Sequence, residues 1–233
     1  TNASGDNLLN LAIRYRATNA VPWLLAHGVD SDQVNQEGMS PLMTLVGLFS
    51  GAKPPPEELR PLEQQLEALL ALKVNVNRVS PNYGTPLSWL IWSGNTNVFQ
   101  RLLAAGADSN TTSRVGEPLL WLLARYPSIS LGGRDPKPIA LANARALLQA
   151  GANPNVDWGG TTTLNVALQS SPEMVQLLLD FKADPNRRDG SGRTALEQLA
   201  IVRLNSPSDP YSPSKESFAQ IEAILRAAGA RDD

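Results

Sequence analysis

One stretch, TPLSWLIWSGNTNVFQRLLAAGADSN from Thr85 to Asn110, constrains the fold more than any other. Pro86 stands one residue into an apolar run of helical spacing, where its missing N–H costs nothing and its fixed φ suits a first turn. Leu87, Leu90 and Ile91 recur at that spacing until Gly94 and Asn95 break it. Val98, Phe99, Leu102 and Leu103 make a second stripe, closed by Gly106, the residue type that most easily takes a left-handed position after a helix. The spacing predicts a helix, a tight turn and a second, antiparallel helix.

The outline recurs. Leu9, Ala12, Leu24, Leu25, Gly28 and Asp30 repeat it near the start of the chain. Further copies open at Ser40-Pro41-Leu42, Glu117-Pro118-Leu119, Leu164 with Ala167, and Thr194-Ala195-Leu196. Their closing residues are Leu69–Leu70 with Asn75 and Asn77, Leu147–Leu148 with Gly151-Ala152-Asn153, Leu178–Leu179 with Ala183-Asp184, and Leu225 with Gly229-Ala230. Thr85-Pro86-Leu87 and Gly106-Ala107-Asp108 resemble the ankyrin repeat, a unit of about 33 residues with a T-P-L-H-x-A signature. The resemblance covers nearly the whole chain. It implies an all-α ankyrin-repeat solenoid of six helix-turn-helix repeats with short β-hairpin fingers, over 7–39, 40–84, 85–116, 117–161, 162–193 and 194–233. Residues 1–6 are expected to be a flexible tether and 7–233 a single domain, since each repeat buries its apolar face only against its neighbours.

The departures from the pattern are regular. Copies one and three are short, whereas the second, fourth and sixth carry Pro-, Gly- or Ser-rich inserts between their helices, at Gly51–Arg60, Tyr126–Pro138 and Asn205–Ser214. Added loop length costs little entropy, so such inserts are tolerated, and their alternation suggests a shared ledge. The signature His is replaced throughout, by Asn10, Met43, Ser88, Leu120, Asn165 and Glu197. Gly38, Gly116 and Gly192 fall where the family places its fingers.

Composition argues against most chemistry. Twenty Lys and Arg against 22 Asp and Glu leave a net charge of −2, without the basic footprint of a nucleic-acid binder. No apolar run approaches the ~20 residues of a membrane helix. The absence of cysteine removes disulfides, thiolate metal sites and a thiol nucleophile together. The one histidine, His27, ends a helix before Gly28, where it can bond the last carbonyls. Gly190-Ser191-Gly192 lacks the Lys-Ser/Thr of a phosphate loop and reads as a turn. Asp30, Asp108 and Asp184 share one place in the pattern and read as loop architecture. No catalytic, metal-binding or cofactor-binding residue is assigned, and no cofactor is expected.

What remains is a set of large residues at variable positions. The resemblance implies that partners are held by the finger tips and the exposed side of the first helices. Those places hold Arg14 and Tyr15, Met39, Pro81 to Tyr83, Trp92, Arg114, Arg125, Trp158 and Arg188. Tyr, Trp and Arg dominate binding hot spots, so these side chains are expected to serve a partner protein and not folding. Trp89 and Trp121 occupy a place usually filled by a buried Leu and read as core, as do Leu102–Leu103 and Leu147–Leu148. The expected function is protein binding by a chain that is monomeric when unbound. The degenerate repeats and the small, polar start Thr1-Asn2-Ala3-Ser4-Gly5 resemble a periplasmic, lipid-anchored immunity protein that neutralises a type VI secreted phospholipase; a cytoplasmic scaffold is the alternative.

Overall fold

The computed structural model describes residues 2, 5–50, 54–125, 137–205 and 214–231. It divides into two compact units, Thr1–Gly116 and Glu117–Asp233, each considered by itself.

The first unit holds α1 (Leu8–Arg14), α2 (Ala20–Ala26), α3 (Pro41–Ser50), α4 (Pro56–Ala71), α5 (Pro86–Leu90) and α6 (Thr96–Ala104). Consecutive helices pair, and the pairs stack: α3 packs on both α1 and α5, and α4 packs on α2. Local chemistry sets the helix starts. The Asn7 carboxamide accepts the Asn10 N–H at 2.8 Å to cap α1. Thr85 and Ser88 form a reciprocal capping box at α5, with bonds of 3.1 and 2.9 Å. Sandwiched α3 is buried continuously from Pro41 to Val46, as a helix with neighbours on two sides must be. Leu9, Ile13, Leu45, Phe49, Leu66, Leu87, Leu90 and Phe99 complete this core.

The second unit repeats the plan with α7 (Leu119–Arg125), α8 (Lys137–Gln149), α9 (Thr163–Ala167), α10 (Pro172–Asp180), α11 (Ala195–Asn205) and α12 (Lys215–Ala227). Here α9 packs on α7 and α11, and α10 on α8 and α12. Leu123, Leu147, Leu164, Leu168, Val175, Leu178, Ile221 and Leu225 form the core.

The helix ends explain the repeated polar letters. Gly106 takes φ +93°, and Ala107 N–H then returns to Leu102 O at 2.9 Å. In the second and fifth copies Lys73 (φ +55°) and Lys182 (φ +72°) occupy the same left-handed place. Asp30, Asp108 and Asp184 each accept the N–H two residues on, at 2.9 Å, in agreement with their reading as turn residues. Asn77 spans to the next repeat by donating to Gly106 O (3.0 Å) and accepting Asp108 N–H (2.8 Å). Asn155 makes the same pair of bonds with Lys182 and Asp184, and Asn186 with Gly229 and Arg231.

Several expectations are corrected. Gly5 and Asp6, assigned to the tether, are packed: Asp6 is fully buried, accepting from Arg14 at 3.1 and 3.2 Å, Asn35 at 2.8 Å and Asn2 at 3.2 Å. Leu103 is half-buried, because Val98, Phe99 and Leu102 alone turn their side chains to the core from α6. Trp89 is likewise half-buried, whereas Trp121 is 5 % exposed, as read. Pro56–Arg60, counted with the first insert, open α4, with Glu57 and Glu58 favourably placed in its first turn. Likewise Lys137 and Pro138 of the second insert open α8, and Asn205 and Ser214 of the third end α11 and cap α12; residues 51–53, 126–136 and 206–213 of the inserts lie outside the described residues, as do residues 1, 3 and 4 of the start.

The fingers are mostly not β-hairpins. Among the described residues one forms a paired ladder, β1 (Asp157–Trp158) with β2 (Thr161–Thr162), and Ser80–Gly84 makes a single bridge. Elsewhere a single backbone bond closes the turn, Asn35 N–H to Met39 O at 3.1 Å and Asp189 N–H to Arg193 O at 2.9 Å, and a side chain supplies the rest: Asn35 Oδ1 accepts from Glu37 and Met39, and Asp189 Oδ1 from Ser191 and Arg193.

Candidate protein-binding surface

The residues singled out for partner binding fall in both units. In the first, Tyr15 is 77 % exposed at the end of α1, and Arg114 is exposed on a finger beside the exposed Val115. Trp92 is half-buried in the turn after α5. Met39 is the correction: it is buried, because its N–H and C=O both bond Asn35 and the turn carries its side chain inward. Arg14 is engaged by Asp6 and so serves the fold. Tyr83 stacks on Trp89, with ring centroids 4.5 Å apart, and is half-buried.

In the second unit Trp158 stands 37 % exposed at the tip of the β1–β2 hairpin. Two contacts brace that hairpin. Arg187 forms a bidentate pair with Asp157 at 2.6 and 3.2 Å, and this hydrogen bond raises the guanidinium pKa above its ordinary value. Gly190 N–H donates to Gly160 O at 2.8 Å, an approach so close that a Cβ on Gly190 would meet Gly160 at 3.0 Å. Gly190-Ser191-Gly192 is therefore the turn expected, with the added task of docking one finger on another.

Arg125 is exposed, with its guanidinium 5.3 Å from the centroid of the Trp121 ring and 4.0 Å from the Glu117 carboxylate. Trp121 in turn donates its indole N–H to Thr161 O at 3.0 Å, tying α7 to the hairpin. Trp121, Arg125 and Trp158 line a cleft of about 430 Å³ together with Asn165, Gln169 and Gln198. Arg188 is exposed but reaches Gly192 O at 2.6 Å and Glu197 at 3.3 Å.

Some of this was not legible from residue types. The Asp157–Arg187 brace joins positions in different repeats, and the Gly160–Gly190 contact could have been suspected only from glycines at matching finger places. Trp23, 59 % exposed, stacks on His27 at 3.9 Å, while His27 Nδ1 lies 2.7 Å from Trp23 O. The structural role read for His27 at the helix end agrees with that contact. Among the described residues no group of three or more His, Cys, Asp or Glu is placed to hold a metal, and no helix is long and apolar enough to cross a membrane.

Stacked helix pairs, left-handed turns after each second helix and projecting fingers define the ankyrin-repeat fold. The comparisons agree. An ankyrin repeat domain from Acinetobacter baumannii AYE is similar at a TM-score of 0.70 and 21 % identity, over 96 % of this chain and 98 % of that one. EF0377, an ankyrin repeat protein, is similar at a TM-score of 0.66 and 21 % identity, over 99 % of this chain and all of that one (100 %). In sequence the chain is similar to Rabankyrin-5 of Mus musculus, 25 % identical over 244 aligned residues that cover 84 % of this chain and 21 % of that protein. It is also similar to Rabankyrin-5 of Homo sapiens, 34 % identical over 154 residues covering 64 % of this chain and 13 % of that protein. The chain spans about a fifth or less of the length of these curated relatives. No family model matches it.

Proposed function

We propose that the chain is a non-enzymatic protein-interaction module whose second unit engages its partner through Trp158 and the cleft beside it. The observation that carries this reading is a large apolar ring left 37 % exposed on a hairpin braced by Asp157–Arg187 and Gly160–Gly190. A rigid aromatic loses little conformational entropy on binding, which suits it to anchor an interface. Tyr15, Arg114 and Trp92 are the further contacts proposed in the first unit. The test is capture: the immobilised chain, and its Trp158→Ala variant, are exposed to native lysate and the retained proteins identified. Truncation should weaken capture by about 30-fold to 1000-fold, corresponding to about 2–4 kcal/mol for an interface anchor, with an unchanged melting temperature. Undiminished capture overturns the assignment of Trp158.

Two narrower readings are separated by what is captured. The degenerate repeats motivate an immunity protein that occludes a secreted toxin, such as a phospholipase, in the periplasm. Recovery of one hydrolytic partner whose activity disappears on mixing supports it. Several partners unrelated to one another favour the general scaffold.

A further inference from the structure

Each helix pair turns one face to the pair before it. In the fifth copy Thr163, Val166, Ser170, Met174 and Leu177 occupy that face, and all five are buried. The sixth copy packs on the fifth through α9 and α10, and it buries Ala195, Val202 and Ile221 at the same places. In the first copy those places hold Leu8, Leu11, Tyr15, Ala20 and Trp23, counted from the caps Asn7 and Thr162 and from the turns Leu24–Val29 and Leu178–Ala183. Here they are open: Leu8, Tyr15 and Trp23 are 62, 77 and 59 % exposed, and Leu11 and Ala20 are half-buried. Among the described residues no helix covers this side of α1 and α2. All five side chains are nevertheless apolar or aromatic.

Leu8, Leu11 and Tyr15 recur at i, i+3 and i+7 and so form one row along α1, with Ala20 and Trp23 a turn apart on α2. With aromatic side chains of about 150–250 Å² each, these exposures leave roughly 400 Å² of apolar surface, a size that marks an interaction site. Two such faces together bury roughly 800 Å², and their rim brings the contact to the ~1,000 Å² that a specific interface needs. Charge decides what covers the face. The two helices carry no carboxylate, and their one arginine, Arg14, is already held by Asp6 at 3.1 Å. Arg16, which follows, is paired with Glu58. A charged partner therefore finds no complement here, whereas an uncharged apolar face does. The outward face of α11 and α12 is not such a face: Glu222 stands in the place of the buried Val175 and pairs with Arg226 at 3.0 Å and Arg203 at 3.9 Å. Head-to-tail stacking would take those charges out of water, but a two-fold contact sets the α1–α2 face against itself. We propose that the outward face of α1 and α2 is a self-association surface, covered by the same face of a second copy of this chain. The chain is then a dimer, where the sequence implied a monomer, and Tyr15, proposed above as a partner contact, has that second copy as its partner.

The test is the mass of the whole chain in solution, by sedimentation equilibrium over about 1–200 μM, the range in which a micromolar contact forms. The mass should rise with concentration from 25.0 kDa towards twice that value. Trp23→Glu, at an exposed place, should weaken the dimer by about 30-fold or more, as loss of an interface anchor does, with an unchanged circular dichroism spectrum. Leu8→Glu, on the other helix, should do the same, and it decides the matter if Trp23→Glu fails to fold. Trp158→Ala should leave the dimer intact, so failure of the dimer and failure of the Trp158 surface are read separately. A chain that stays at 25.0 kDa throughout overturns the proposal, as does a dimer untouched by both glutamate variants. Capture of a different protein that depends on Trp23, by a chain that alone remains monomeric, overturns it too and gives the face to that protein.

Discussion

A Cβ on Gly47, in the middle of α3, would stand 2.8 Å from Cη2 of Trp89. Glycine in a helix interior is less favourable than alanine by about 1 kcal/mol, so its presence there reflects the indole lying against it. Gly47→Ala should therefore lose stability, by about 1 kcal/mol net, once overpacking of about 1–3 kcal/mol exceeds the propensity gain. In a Trp89→Leu background the same change should turn stabilising. Urea unfolding of the four proteins in this cycle decides it, and equal effects in both backgrounds would show that the ring does not select the glycine.

The same indole carries Tyr83 stacked on it, inclined by 19°. Tyr83→Ala should cost about 0.5–1.5 kcal/mol, the worth of an aromatic pair, and Tyr83→Phe almost nothing. This replaces the sequence-based expectation that Tyr83 serves a partner and is dispensable for folding. A melting temperature that does not move in the alanine variant would restore that expectation.

On α6, adjacent leucines should respond very differently. Leu102 is fully buried and Leu103 half-buried. Truncation of Leu102 to alanine should cost about 2–5 kcal/mol, and of Leu103 about 1 kcal/mol. Similar losses at the two positions would mean that the helix is rotated from the orientation described.

Asp189 links stability to pH. Burial pushes its carboxyl up, but N–H groups of Arg193 and Ser191 at 3.0 and 2.8 Å, the Asn165 amide and the Arg193 charge outweigh burial and hold it below the ordinary value of 3.8. A depressed folded pKa contributes stability that is present above the unfolded value and lost as pH falls through the folded one. Asp189→Asn should lower stability near neutral pH by about 1–3 kcal/mol and flatten its decline below about pH 4. Thermal unfolding from pH 7 to pH 2.5 measures both; parallel profiles for the two proteins would exclude Asp189 as the titrating group.

The sequence alone determined the repeating helix pairs, because helical periodicity and turn chemistry are local properties. Gly106 after an apolar stripe, Pro86 at a first turn and Asp108 two residues before Asn110 report conformations decided within a few bonds of each residue. Which face of each element is covered was less legible. Met39 is buried although its place in a finger implied exposure, Leu103 is half-buried beside a buried Leu102, and Asp6 is drawn into the fold by Arg14 and Asn35. Strand pairing in the fingers also escaped the pattern, since Asn35 and Asp189 hold their turns by side-chain bonds that a repeat outline does not distinguish from a ladder. The cleft is wholly a tertiary product. Trp121, Asn165 and Gln198 come from three first helices, and Trp158 from a hairpin set in place by Arg187 and Gly190 of the following finger. Residue types announce what each group can bond, but only packing decides which groups from separate repeats come close enough to bond.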